Sequence, residues 1–305
     1  MLDLSHIPNS QQDIKIFYTN PGPTIYQTWQ KPRKCSFIYI ISIDAGGGGG
    51  GGVSTILNTA GNVIAFGGGS GAVTRALINS NLVPDTLYIR VGKGGAGGAS
   101  VSTADGNYNN GTTGEASGVF ISSQLSSLNA TAQAVSFLGG AAANNGGVPG
   151  ALAPGTPAST LTNNYLIGLT NFISLVGKTS SNSFPSDPPL TSNILTSGGY
   201  GGNYFGNPSL ANGTGIFSTS ISPFIAGGIG GTTVGGNGAD GYTSWKPFFS
   251  TGGAGGGNAT TAGGIAGSGG KGGIGSGGGG GGAANAGTSG RGGDGGDGIV
   301  MIITF

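Results

Sequence analysis

A chain of 305 residues is long enough for one large domain or two ordinary ones, at roughly 100–200 residues each. With 71 glycines it has the composition of a disordered segment, but 36% hydrophobic residues oppose that reading. Only 7% of residues are charged and the net charge is +1, so no electrostatic face exists for nucleic acid or an anionic membrane, and the lone Cys35 excludes a disulfide framework and a thiolate zinc site.

The N-terminus, MLDLSHIPNSQQDIK, has neither the basic region nor the apolar core of a secretory signal. Residues 1–16 read as an arm and residues 17–305 as one glycine-rich domain. IKIFYTNPG is an apolar run closed by a Pro/Gly turn, and the stretch holding Trp29 reads as a core strand. FIYIISI (37–43) places Phe37, Tyr39, Ile41 and Ile43 on one face and Ile38 and Ile40 on the other. It is the longest apolar stretch, far below the ~20 residues of a membrane span. DTLYIRVG sets Leu87, Ile89 and Val91 against Tyr88 and Arg90. SGVFISS (117–123), NFISLVG (171–177) and GIVMIITF (298–305) have the same strand character. Residues 122–138 could hold a short helix, but the spacing is ambiguous. The framework is all-β.

Between these strands glycine has a period. Seven glycines fill 46–52, and GGX triplets recur: Ala96/Ala99, Tyr200/Asn203, Ile229/Thr232, Asn237/Asp240, Lys271/Ile274 and Arg291/Asp294/Asp297. A period of three belongs to neither an α-helix nor a strand. It matches the extended left-handed polyproline II geometry, which makes no internal hydrogen bonds. Each buried backbone group must then pair with a neighbouring segment. Ordering costs about 1–2 kcal/mol per residue, so 71 glycines cost on the order of 100 kcal/mol. Only nearly complete lateral hydrogen bonding in a bundle offsets that. Short GGX patches without abundant proline exclude collagen. The expected architecture is a β-sandwich-like framework with an embedded bundle of polyglycine II helices.

YQTWQKP, SFIYIISIDAGGGGGGG, NLVPDTLYIRVGKGGAGG and the closing GGRGGDGGDGIVMIITF together resemble the glycine-rich domain of tail-fibre and other appendage proteins of tailed phages. The layout is also similar to the glycine-rich region of the anaplastic lymphoma kinase family, but no signal peptide, kinase domain or disulfide set accompanies it. The resemblance covers roughly residues 17–305 and implies a virion surface protein, often oligomeric, with loops that touch the host. A homotrimer is suggested by that resemblance alone.

Several stretches invite a site. GGNGADGYT (235–243) and GGDGGDGIV (292–300) match the calcium nonapeptide, making Asp240, Asp294 and Asp297 candidate ligands. That motif works in tandem copies, and these are far apart, so a GGX patch carrying Asp is the blander reading. VGKT (176–179) lacks the phosphate-loop glycine, because Phe172 occupies its place. The single histidine, His6, lies in the arm, and Cys35 beside a strand reads as a small apolar residue, so no nucleophilic triad is indicated. Tyr108, Tyr200, Tyr204 and Trp245 are candidate receptor contacts on loops, for a glycan or a protein, with padding of the core as the plainer alternative.

These readings point to a non-enzymatic tail or head fibre protein at the virion surface that contributes to host attachment. Its partners would be other virion proteins through the arm, further copies of itself and a host-surface molecule. Neither nucleic acid nor membrane insertion is expected. A purely architectural subunit, such as a capsid decoration or a fibril, is the alternative; there the arm and the edge of IVMIITF would pair with neighbours. A weaker third reading is an extracellular Ca²⁺-dependent enzyme or binding protein.

Overall fold

Alternating isoleucines give β3 two apolar faces, and the fold buries both. The computed structural model describes residues 13–20, 26–55, 64–102, 109–120, 136–139, 171–175, 194–202, 210–216, 225–246 and 248–305. In chain order the strands are β1 (Asp13–Phe17), β2 (Gln27–Gln30), β3 (Phe37–Ile43), β4 (Ser54–Thr55), β5 (Val73–Asn79), β6 (Thr86–Arg90) and β7 (Gly118–Phe120). They continue with β8 (Ser136–Gly139), β9 (Asn171–Leu175), β10 (Thr243–Trp245), β11 (Phe248–Ser250), β12 (Ala284–Asn285) and β13 (Ile299–Thr304). Among the described residues the only helical element is a 3-10 turn at Ser80–Leu82. The protein is all-β. Residues 136–138, inside the stretch that offered a short helix, lie in β8; residues 122–135 lie outside the described residues.

Two antiparallel sheets form the frame, one in the order β1-β13-β3-β5-β9 and the other β2-β6-β7-β8. Ile38 pairs with Ile78 and Ile40 with Ala76 across β3 and β5. This row shares one buried cluster with Trp29, Leu87, Ile89 and Val119 of the second sheet. The opposite face of β3, through Ile41 and Ile43, joins Val73, Ile299 and Met301 under Leu195 and Phe248 of the glycine-rich part. Trp29 is thus a core residue, as its strand context implies.

One expectation changes. The C-terminal strand offers no free edge, because β13 pairs with β1 on one side and β3 on the other. The boundary drawn at residue 16 falls inside β1, whose backbone register with β13 begins at Asp13.

Beyond β3 the chain keeps going straight but changes its bonding. Residues 44–52 donate in strict rotation to three other segments: Asp44, Gly47 and Gly50 to the carbonyls of Ala72, Gly69 and Phe66; Ala45, Gly48 and Gly51 to those of Glu115, Thr112 and Asn109; Gly46, Gly49 and Gly52 to those of Gly296, Gly293 and Gly290. Donor and acceptor both step by three. The same run accepts from Gly95, Gly98, Gly278 and Gly281, so it is enclosed on every side. Residues 277–282, a second unbroken glycine run, donate in the same rotation to Thr196, Gly199, Gly47, Gly50, Gly270 and Gly267.

Close approach, not conformational freedom, is why these positions are glycine. A Cβ on Gly48 would lie 2.1 Å from the Ala96 carbonyl oxygen, and one on Gly49 2.0 Å from that of Gly279. Among the described glycines only Gly263 and Gly275 have positive φ. Some segments built from GGX triplets instead line the rim. Lys93, Ala96 and Ala99 are exposed while Gly95 and Gly98 are buried. Unbroken runs mark interior threads, and in the 93–99 segment the third residue of each triplet faces outward.

Candidate functional site

The glycine-rich segments alternate in direction, which sorts their ends into two groups. At the frame end, Asp44 donates to the Ala72 carbonyl, Gly275 to that of Asp297 and Gly298 to that of Gly92. At the far end, Ala284 donates to the Val53 carbonyl, Ala283 to Gly202, Ser289 to Val101 and Gly231 to Asn258. The described chain therefore enters or leaves the bundle at one distal tip near residues 53, 101, 202, 210, 231–234, 259–264 and 285–288.

Four large aliphatic side chains stand exposed there, with 55–72% of their surface open: Leu210, Ile229, Val234 and Ile265. Backbone bonds bring their segments together. Gly236 donates to the Ile229 carbonyl at 2.7 Å, Gly235 to that of Ile265 at 2.8 Å, and a Cβ on Gly230 would sit 2.7 Å from the Ala211 amide nitrogen. Sequence reasoning concentrated on aromatics and passed over these residues. The available signal was an isolated large aliphatic beside glycine and threonine, as in GGIGGTTV, with no alternating apolar partner. An outward third position in such a triplet exposes whatever it carries.

The three candidate calcium ligands do different work. The carboxylate of Asp240 accepts from the Lys271 amide at 2.7 Å, between Asn237, which accepts from Ser268 at 2.8 Å, and Thr243, which accepts from Ile274 at 3.0 Å. All three acceptors and all three donors step by three. Asp294 accepts from the Gly97 amide at 2.8 Å and pairs with Arg291; Asp297 accepts from the Gly94 amide and the Thr19 hydroxyl, both at 2.8 Å. On the rim a segment lacks a neighbour in one of its three bonding directions. A side-chain oxygen there substitutes for the missing backbone carbonyl, so an otherwise unpaired amide is satisfied. Among the described residues, no three Asp, Glu, His or Cys side chains gather as metal ligands.

The candidate receptor aromatics divide as well. Tyr200 is only 2% exposed, so it is not a surface contact. It packs edge-to-face on Phe66 at 5.4 Å, and burial raises its phenol well above the ordinary range. Its hydroxyl has no hydrogen-bond partner among the described residues. The bundle interior takes this side chain because Phe66 lies on the adjoining segment, where Gly201 donates to the Ala65 carbonyl. Trp245 is 38% exposed but sits on the β10–β11 hairpin against Phe248, which belongs to the frame-side core rather than to the tip. Tyr108 and Tyr204 lie outside the described residues.

Among the described residues no nucleophilic constellation forms around Cys35, whose thiol donates to the Pro32 carbonyl at 3.2 Å; His6 lies outside the described residues. The adjacent cleft holds Lys31, but its ammonium is engaged by the carbonyls of Ser80 and Val83 and by Asp85 at 3.1 Å. Residues 19–304 match the family model described as a glycine-rich domain. No curated protein matches the chain.

Proposed function

The chain belongs to the glycine-rich domain family, and from that premise we propose that it is a non-enzymatic surface or appendage protein of a tailed-phage particle, a tail or head fibre, that contributes to host attachment. The three-step rotation of hydrogen bonds supports reading the glycine segments as polyglycine II helices. The cluster shared by the two sheets supports a sandwich-like frame beneath them.

The observation that carries the proposal is the polarity of the molecule. One end is a conventional apolar core, and the other is a set of turns displaying Leu210, Ile229, Val234 and Ile265 on a backbone-bonded rod. Such a rod holds its tip through backbone hydrogen bonds rather than disulfides, which suits exposure on a particle. The rim carboxylates Asp240 and Asp294 accept from backbone amides, and the described tip residues form an uncharged aliphatic patch. That surface suits an apolar protein receptor over a glycan, which is held by aromatic stacking and polar hydrogen bonds.

Immunogold electron microscopy of native particles tests the placement. Label at fibre ends is expected; label spread over a shell or a filament would move the protein to the architectural reading. Adsorption of particles carrying Val234→Asp with Ile265→Asp tests the tip. Loss of adsorption with unchanged melting temperature is expected, and wild-type adsorption would refute the role of the tip.

A further inference from the structure

The frame ends in an edge that is built to meet a copy of itself. Among the described residues, strand β1 has a neighbour on one side only, β13. Phe305 donates to the Phe37 carbonyl at 3.0 Å and accepts from the Ser36 amide at 2.6 Å, so it turns toward β3. Alternation along an antiparallel strand then turns Ile303 and Met301 toward β3, and Thr304, Ile302 and Val300 toward β1. Asp13, Lys15 and Phe17 therefore exchange the hydrogen bonds with β13. The N–H and C=O groups of Ile14 and Ile16 point outward, with no partner among the described residues. Ile14 and Ile16 side chains are also exposed, at 41% and 39%.

An exposed edge strand with apolar side chains is a pairing template unless charge protects it. Here the charge is balanced within the strand, since Lys15 lies 3.4 Å from Asp13. We propose that β1 pairs antiparallel with β1 of a second copy about a two-fold axis at Ile14, joining two frames into one continuous sheet.

Charge selects this register. With Ile14 opposite Ile14, Asp13 of each copy faces Lys15 of the other, and opposite charges directly across strands are favourable. With Ile14 opposite Ile16, Lys15 faces Lys15. With Ile16 opposite Ile16, Lys15 faces Phe17 and Asp13 faces Thr19. Outward-pointing groups meet in all three registers, and only the first matches both charges. The interface is isologous and closes at two chains. It leaves the distal tips free and does not depend on the attachment reading.

Sedimentation analysis of the full chain at micromolar concentration tests the interface. Wild type is expected to run as a two-chain species. Asp13→Lys sets lysines against lysines and Lys15→Asp sets carboxylates against carboxylates, so each alone is expected to weaken association by about tenfold. Mixing the two variants in equal amounts restores pairing, because each now faces its opposite. Ile14→Pro removes an outward N–H, leaves the β13 bonds in place, and is expected to give monomers with an unchanged circular dichroism spectrum. Monomeric wild type, or variants that associate as wild type does, would overturn the proposal. So would a mixture that stays dissociated.

Discussion

Strand β3 and the glycine thread that follows it are one covalent stretch, yet opposite means hold them. In β3 the backbone bonds in one plane, to β13 and β5, and side chains fill the space above and below it. Residues 44–52 bond to three donor-side neighbours, and no space remains for a side chain at Gly48 or Gly49. A sheet needs apolar side chains because adjacent sheets stand ~10 Å apart. Threads bonded on all sides pack at backbone distance, so hydrogen bonding replaces burial of side chains as the organising interaction.

Substitution at the interior of the thread is the strongest way to break this contrast. Gly49→Ala drives a methyl into a backbone carbonyl of an equally enclosed thread. A loss above about 4 kcal/mol is expected, enough to prevent cooperative unfolding from being seen in denaturant titrations. Ile40→Ala in the frame leaves a cavity instead, with an expected loss of about 2–5 kcal/mol measured by the same titration. If Ile40→Ala proved the more damaging of the two, the cassette would not be the rigid half of the molecule.

The rim sharpens the comparison at smaller amplitude. Asp240→Ala removes the acceptor of the Lys271 amide, and a loss of about 1 kcal/mol is expected from thermal melts. Asp240→Asn keeps an oxygen there and should cost little. Calcium chelation should leave both melting temperatures unchanged if the carboxylate serves the amide. Tyr200→Phe is the smallest change: it deletes a buried hydroxyl with no partner among the described residues, so stability stays level or rises slightly. In wild type burial raises the folded-state phenol above its ordinary value of 10.0. The unfolded chain thus ionises first, and stability falls as pH climbs above that value. Alkaline melts of wild type and Tyr200→Phe should diverge there.

Legibility in the sequence followed side-chain pattern. β3 and β6 announced themselves through alternation and β13 through an unbroken apolar run rich in β-branched residues, and the GGX period announced a three-residue repeat. β5 did not, because Val73–Asn79 carries Arg75 and Ala76 within its apolar run and becomes a strand through pairing with β3. Asp240, Asp294 and Asp297 were visible as outward positions, but their roles depend on which amide lies opposite. Tyr200 occupies the same place in its triplet as exposed Ile229, yet it is buried by its neighbours.

The amino-acid order alone determined the all-β class, the positions of most strands and the spacing at which glycine must recur. Tertiary structure decided which glycine threads adjoin, which runs are interior, that the last strand lies inside a sheet, and that four aliphatic residues share a tip. The physical reason lies in the bonds that join the threads. They run from backbone to backbone, and every residue carries the same N–H and C=O groups, so nothing in the residue types encodes the partner.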